Sequence, residues 1–257
     1  MFGGILTSVI TAGLFIPFLG TSLGAACVLF MKTGFNKTLE RCLTGFAAGV
    51  MAAASVWSLI IPAVEKSASY GKFAFLPAAA GFCGGMLVFI MSDKLMNKRS
   101  AELARDKTAL LTLAVVLHNI PEGMAVGAVL TGLRAGLPDV TAEAALALSV
   151  GIAIQNFPEG AIISMPLMAA GRGKNKSLCN GILSGTVEPA AGILTLLFSG
   201  VVIPALPYLL SFAAGAMIYV VTRELVPDMS DGSHPNAALT AFMLGFAVMM
   251  SMDVALG

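Results

Sequence analysis

Apolar residues run along this chain in long blocks separated by short polar breaks. A membrane-spanning helix needs roughly 20 predominantly apolar residues. Eight blocks reach that length, at about 3–31, 42–64, 73–93, 109–131, 145–170, 178–200, 207–227 and 237–257. The seventh carries Arg223 and Glu224 near its end. The first lacks the basic segment that precedes a cleavable signal and is long for a signal core, so it is expected to be a span. The longest polar break, about 94–108 (KLMNKRSAELARDKT), leaves no room for a second folded domain. The pattern predicts an all-α polytopic membrane protein with eight transmembrane helices, in one domain over 1–257.

Composition points the same way. Hydrophobic residues make up 57% of the chain and charged residues 11%, against about 25% charged in a soluble domain. The solvent for most of this surface is lipid. Basic residues set the orientation. With the N-terminus outside, twelve of the fifteen Lys and Arg sit at cytoplasmic ends, and only Lys66, Lys72 and Arg134 stay outside. Such asymmetry orients membrane proteins, so both termini are expected outside a cell membrane. The net charge of +1 gives no sign of nucleic-acid binding. Cys27, Cys42, Cys83 and Cys179 are scattered without a CxxC pair, which argues against a disulfide or thiolate cluster. Burial as small packing residues is expected for them.

Most of the fourteen acids lie at block ends, but Glu122, Glu159 and Glu188 fall 10 to 15 residues into theirs, near the midplane. An acidic side chain there costs about 2.5–3.5 kcal/mol even on a lenient insertion scale. No Lys or Arg lies deep in any block to offset them, so the counter-charge is expected to be protons or a bound cation. Block four reads His118-Asn119-Ile120-Pro121-Glu122-Gly123 and block five Gln155-Asn156-Phe157-Pro158-Glu159-Gly160. The shared pattern N-x-P-E-G recurs 37 residues apart in consecutive, antiparallel spans, an inverted pseudo-repeat of the kind transporters use.

The spacing has chemical content. His118 and Glu122 share one helix face at i,i+4, as do Gln155 and Glu159, and Asn119 and Asn156 border those faces. Each proline removes an N–H and is expected to disturb its helix at this level, freeing carbonyls to line a cavity. Gly123 with Gly127, and Gly160 with Ser164, are small pairs that permit close helix approach. Block six adds Gly185-Thr186-Val187-Glu188-Pro189, with acid and proline in the opposite order. Helices four, five and six thus bring three carboxylates, one imidazole and three amides toward one point. Imidazole with carboxylates and no thiolate suits zinc and its neighbours.

Plainer readings hold elsewhere. The fifteen methionines are read as packing and lipid-facing side chains rather than a copper site, and His234 as part of a solvated turn. Ordinary interfacial charge accounts for Glu65, Glu224 and Asp253 as well as a metal path does. An intramembrane metalloenzyme would want a motif such as H-E-x-x-H. The chain has only two histidines and no such motif, so it is not expected to be an enzyme. A carrier of organic substrate lacks the Arg or aromatic grip, with one Trp and three Tyr in the whole chain. A metal-sensing receptor stays open, and flux separates it from a transporter.

HNIPEG, QNFPEG and GTVEPAAG resemble the ZIP (Zrt/Irt-like protein) metal transporters, and ASVWSLIIPAVE at 54–65 with MIYVVTRELVPD at 217–228 resembles their bacterial GufA-like branch. The resemblance covers essentially the whole chain. It implies inward transport of a divalent transition metal, chiefly Zn2+, as cargo rather than as cofactor. It also implies a homodimer in the lipid bilayer. By position, His118, Glu122, Gln155, Glu159 and Glu188 would hold a first ion. Asn119, Asn156 and the shared glutamates would hold a second, with Glu224 and Asp253 along the path. Many members carry His where this chain has Gln155, and some carry Asp where it has Asn156. These neutral, weaker ligands make broader specificity, including Mn2+, Fe2+, Co2+ and Cd2+, the alternative expectation.

Overall fold

A computed structural model of the chain describes residues 2–30, 37–103, 107–169, 171–230 and 235–256. Every regular element among them is helical. In chain order these are α1 (Phe2–Ala26), α2 (Lys37–Ala54), α3 (Ile61–Glu65), α4 (Phe75–Leu103), α5 (Lys107–Arg134), α6 (Ala142–Ala169), α7 (Lys174–Gly185), α8 (Val187–Leu197), α9 (Ser199–Val220), α10 (Val226–Ser230) and α11 (Pro235–Leu256). Among the described residues, six stretches are long and apolar enough to cross a membrane: Leu6–Leu29, Lys37–Glu65, Phe75–Leu95, Ala142–Met165, Ser199–Ser230 and Asn236–Ala255. α5 is a further helix of 28 residues, about 42 Å long at 1.5 Å per residue.

Three local features depart from the sequence reading. The polar stretch 94–108 is mostly not a loop, because α4 continues to Leu103 and α5 starts at Lys107. Its Leu, Met, Lys, Arg, Ala and Glu are good helix formers, so the helix outruns the apolar block. Pro121 and Pro158 do not interrupt α5 and α6, which run through them. The break comes in block six instead, at Thr186 between α7 and α8. There Pro189 occupies the first turn of α8, where a missing N–H leaves no bond unmade. Block seven starts earlier than expected, at Ser199, directly after a turn at Phe198.

Two long spans contain π-helical turns, Ser55–Ile60 between α2 and α3 and Val221–Leu225 between α9 and α10. Each is followed within two residues by proline, Pro62 or Pro227. A proline cannot donate to the carbonyl four residues back and its ring crowds that carbonyl. Slipping to the wider π spacing is one way to absorb the mismatch.

The helices pack as two groups. In one, α1 lies along α6, and α5 lies along α8, with α7 against α1 and α6. In the other, α2 lies along α11 and α4 along α9. The groups meet where α5 touches α9 and α2 touches α6. Arg223, in the second π turn, pairs with Asp93 of α4 at 3.4 Å, and the Tyr219 hydroxyl donates to the same carboxylate at 3.0 Å. This explains the charge that interrupts block seven: it sits at the helix end, not in the core. The four cysteines are free, and the expectation that they are buried fails. Cys27 and Cys42 are half-buried and Cys83 and Cys179 exposed. A thiol has little apolar area to bury, so little is lost by leaving it at the surface.

Candidate metal site

The site begins with how closely the helices approach. A Cβ added at Gly123 of α5 would run into the backbone carbonyl of Glu188 on α8, and one at Gly160 of α6 would meet the carbonyl of Thr21 on α1. The absence of side chains at these two positions lets α5, α8, α6 and α1 close around one buried volume. Gly136, with φ of 69° after the end of α5, takes the left-handed turn that folds α6 back beside α5.

Six of the residues singled out from sequence lie in that volume. Asn119, Glu122, Gln155 and Asn156 are fully buried, and Glu159 and Glu188 are buried as well. The Gln155 amide donates to Glu122 Oε1 at 2.7 Å. The Asn156 amide donates to Glu188 Oε2 at 2.7 Å and lies 3.4 Å from the Pro17 carbonyl oxygen. The Asn119 amide donates to the carbonyl of Ser184, the last turn of α7, at 3.0 Å. Glu159 is close enough to interact electrostatically with both Glu122 and Glu188. His118 lies on α5 one turn before Glu122, and its imidazole is outside what the structure describes, as is the whole of His234.

Thr21 was missed in the sequence reading. Its hydroxyl donates to Glu188 Oε1 at 3.1 Å. A threonine inside an apolar helix carries no pattern of its own. The available signal was Gly20 and Gly24 around it, a small pair that marks a close contact.

The arrangement is rich in acceptors. Glu122 Oε2, Gln155 Oε1, Asn156 Oδ1 and Asn119 Oδ1 are buried and receive no hydrogen bond among the described residues. An unpaired buried acceptor costs about 1–3 kcal/mol, more when it is charged. Neutral amides hold Glu122 and Glu188, and no Lys or Arg among the described residues bonds to either. Such a set suits a small cation with oxygen-binding chemistry. Among the described residues no three His, Cys, Asp or Glu side chains converge into a ready coordination cluster; Gln155 occupies one oxygen of Glu122, and Asn156 one oxygen of Glu188.

Glu224 and Asp253 are not part of this cluster. Glu224 lies in the second π turn. Asp253, on α11, lines a separate cavity of about 300 Å³, together with Trp57, Ser58, Glu65, Lys66 and Asp139. Ser58, in the first π turn, donates to Asp253 Oδ1 at 2.6 Å, and Asp253 Oδ2 is buried without a hydrogen bond among the described residues. The cavity wall also includes Ala128 of α5 and Leu148 of α6, about two turns from Glu122 and Gln155 along their helices.

Comparison with known proteins fits this picture. The chain is 35% identical to Zinc transporter ZIP11 of Xenopus tropicalis, over 92% of this chain and 94% of that protein. It is 35% identical to Zinc transporter ZIPB of Bordetella bronchiseptica, over 93% of this chain and 79% of that one. It is 31% identical to Zinc transporter GufA of Myxococcus xanthus, over 92% and 94% respectively. The profile described as ZIP Zinc transporter matches residues 102–253, which include all three buried glutamates, and the chain therefore belongs to the ZIP zinc transporter family.

Proposed function

We propose that this protein carries divalent transition-metal ions, zinc first, across a cell membrane into the cytoplasm. The observation that carries the reading is the buried pair of acids, Glu122 and Glu188, which among the described residues are held only by neutral donors, beside amide and carboxylate oxygens that receive no hydrogen bond from those residues. A divalent ion supplies the missing positive charge. Transport, rather than catalysis, is what a site of weak, mixed ligands serves: it can hold an ion and release it. The names of the relatives support zinc as the cargo.

In this reading the chain crosses the bilayer eight times, counting α5 and the broken α7–α8 pair with the six apolar stretches. The N-x-P-E-G repeat makes α5 and α6 an inverted pair, and both termini lie outside. The cavity at Asp253 is then the entrance. An ion sheds water as it passes from Asp253 toward Glu122, Glu159, Glu188 and His118. Gln155, Asn156 and Asn119 offer it carbonyl oxygens. Relative motion of the two helix groups along the α5–α9 and α2–α6 contacts opens the site inward, where Glu224 lies on the way out. A homodimer is the proposed assembly, on family resemblance.

Radioactive zinc uptake into proteoliposomes tests this. Wild type should accumulate zinc, and Glu122→Ala, folded to the same extent, should not. Near-normal uptake by Glu122→Ala would remove the site assignment. A second reading, broader metal choice, is favoured by the neutral amides of Gln155 and Asn156 where charged or imidazole ligands could stand. Competition by manganese, iron, cobalt or cadmium supports it, and strict zinc uptake in their presence rules it out.

A further inference from the structure

Glu188 needs outside help to hold its position. It is the second residue of α8, directly after the break at Thr186, so no continuous helix through the site fixes it. Two donors from two other helices do. Asn156 of α6 donates to Oε2 and Thr21 of α1 to Oε1. With both oxygens engaged, the plane of the carboxylate is set.

The hydroxyl of Thr21 is used in an unusual way for this chain. Threonines in helices commonly turn the hydroxyl back to the carbonyl one turn earlier. Thr44, Thr131 and Thr195 do so here, at 3.0, 2.7 and 2.8 Å. Thr21 instead reaches a side chain 167 residues away in sequence. It is completely buried and locked from two sides: its carbonyl lies against Gly160 and its side chain against Gly185. Gly160 adjoins Glu159, and Gly185 is the last residue before the Thr186 break. A packing role alone would not aim the hydroxyl at the carboxylate: although the Pro17 carbonyl one turn back lies against the Asn156 amide, the Phe18 carbonyl three residues back is the other usual acceptor for a threonine hydroxyl in a helix.

We infer that Thr21 is a positioning residue of the transport site, fixing the Glu188 carboxylate and thereby setting the protein's affinity for its metal. The inference rests on the site proposed above. Hydrogen-bond partners behind metal ligands are worth about 10–100-fold in metal affinity. Thr21→Val keeps the shape and removes the donor; Thr21→Ser keeps the donor and removes a methyl. In proteoliposome uptake across a range of zinc concentrations, Thr21→Val should raise the half-saturating concentration by about tenfold or more. Thr21→Ser should stay within about threefold of wild type, since it keeps the hydroxyl that carries the effect. Should Thr21→Val fail to fold, Thr21→Ala makes the same comparison without any added atom to clash.

An unchanged half-saturating concentration in Thr21→Val overturns the inference. So does an equal rise in Thr21→Ser, which would assign the effect to shape. Glu122→Ala, run in parallel, separates the two levels. If it transports normally, the site itself is misplaced. If it is inactive while Thr21→Val is unchanged, only the role of Thr21 falls.

Discussion

Replacing Asn156 by Asp turns the donor that faces Glu188 into a second anion. The amide nitrogen and Glu188 Oε2 are 2.7 Å apart, and both residues are buried. At that separation two unit charges repel by about 6 kcal/mol for an effective dielectric of about 20. Rotation of the new carboxylate away from Glu188 relieves much of this. What rotation cannot restore is the lost hydrogen bond to a charged group, about 1.5–3 kcal/mol. The metal-free Asn156→Asp protein should therefore melt below wild type in detergent with a chelator present. A divalent cation reverses the sign, because two facing carboxylates attract it more than a carboxylate and an amide. Binding stabilises the folded state by about 2.7 kcal/mol at a hundredfold excess over Kd, and by more as Kd falls. The rise in melting temperature on adding zinc should accordingly be larger for Asn156→Asp than for wild type. Equal melting in chelator together with an equal zinc increment would refute the geometry, since it would mean that residue 156 does not face Glu188.

Other changes test other parts. Gly123→Val places a branched side chain against the Glu188 carbonyl, in backbone that cannot yield; loss of folded protein on size-exclusion chromatography is expected, with Gly123→Ala milder. Gln155→Leu leaves Glu122 Oε1 without its donor, a loss of about 1.5–3 kcal/mol, to be read as a lower melting temperature in chelator. Ser58→Ala frees Asp253 from its 2.6 Å hydrogen bond and should alter uptake mainly at low zinc, leaving the maximal rate near wild type. An unchanged uptake curve would place the Asp253 cavity off the route.

The candidate site was legible in the sequence where its signal was local. The recurrence of N-x-P-E-G made Glu122 and Glu159 stand out because each acid is out of place in an apolar block and each motif spans little more than one helix turn. Glu188 stood out in the same way. Partnerships were not legible. That Gln155 serves Glu122, and Asn156 serves Glu188 rather than the glutamate on its own helix, depends on how α5, α6 and α8 are set against each other. Thr21 illustrates the same limit, since nothing in its own neighbourhood demands a carboxylate. The prolines misled in one respect. They mark positions where a helix lacks a bond, but α5 and α6 absorb that within an otherwise continuous run, and the break falls at Thr186, beside a proline that fits its helix start.

The sequence positions of donors and acceptors set an order in time. Glu188 emerges from the ribosome after both of its donors, Thr21 by 167 residues and Asn156 by 32, so the hydroxyl of α1 and the amide of α6 have already been made when that carboxylate follows. Glu122 is in the opposite position. It precedes Gln155 by 33 residues, an interval of about 2–7 s at about 5–20 residues per second of translation. On the proposed eight-span topology α5 then has an acid at its centre before Gln155 exists to meet it, so it must stay in a wet or protein-lined setting until α6 follows. The short segment 135–141 joins the two helices and, on that topology, makes their entry as a hairpin the natural unit of insertion.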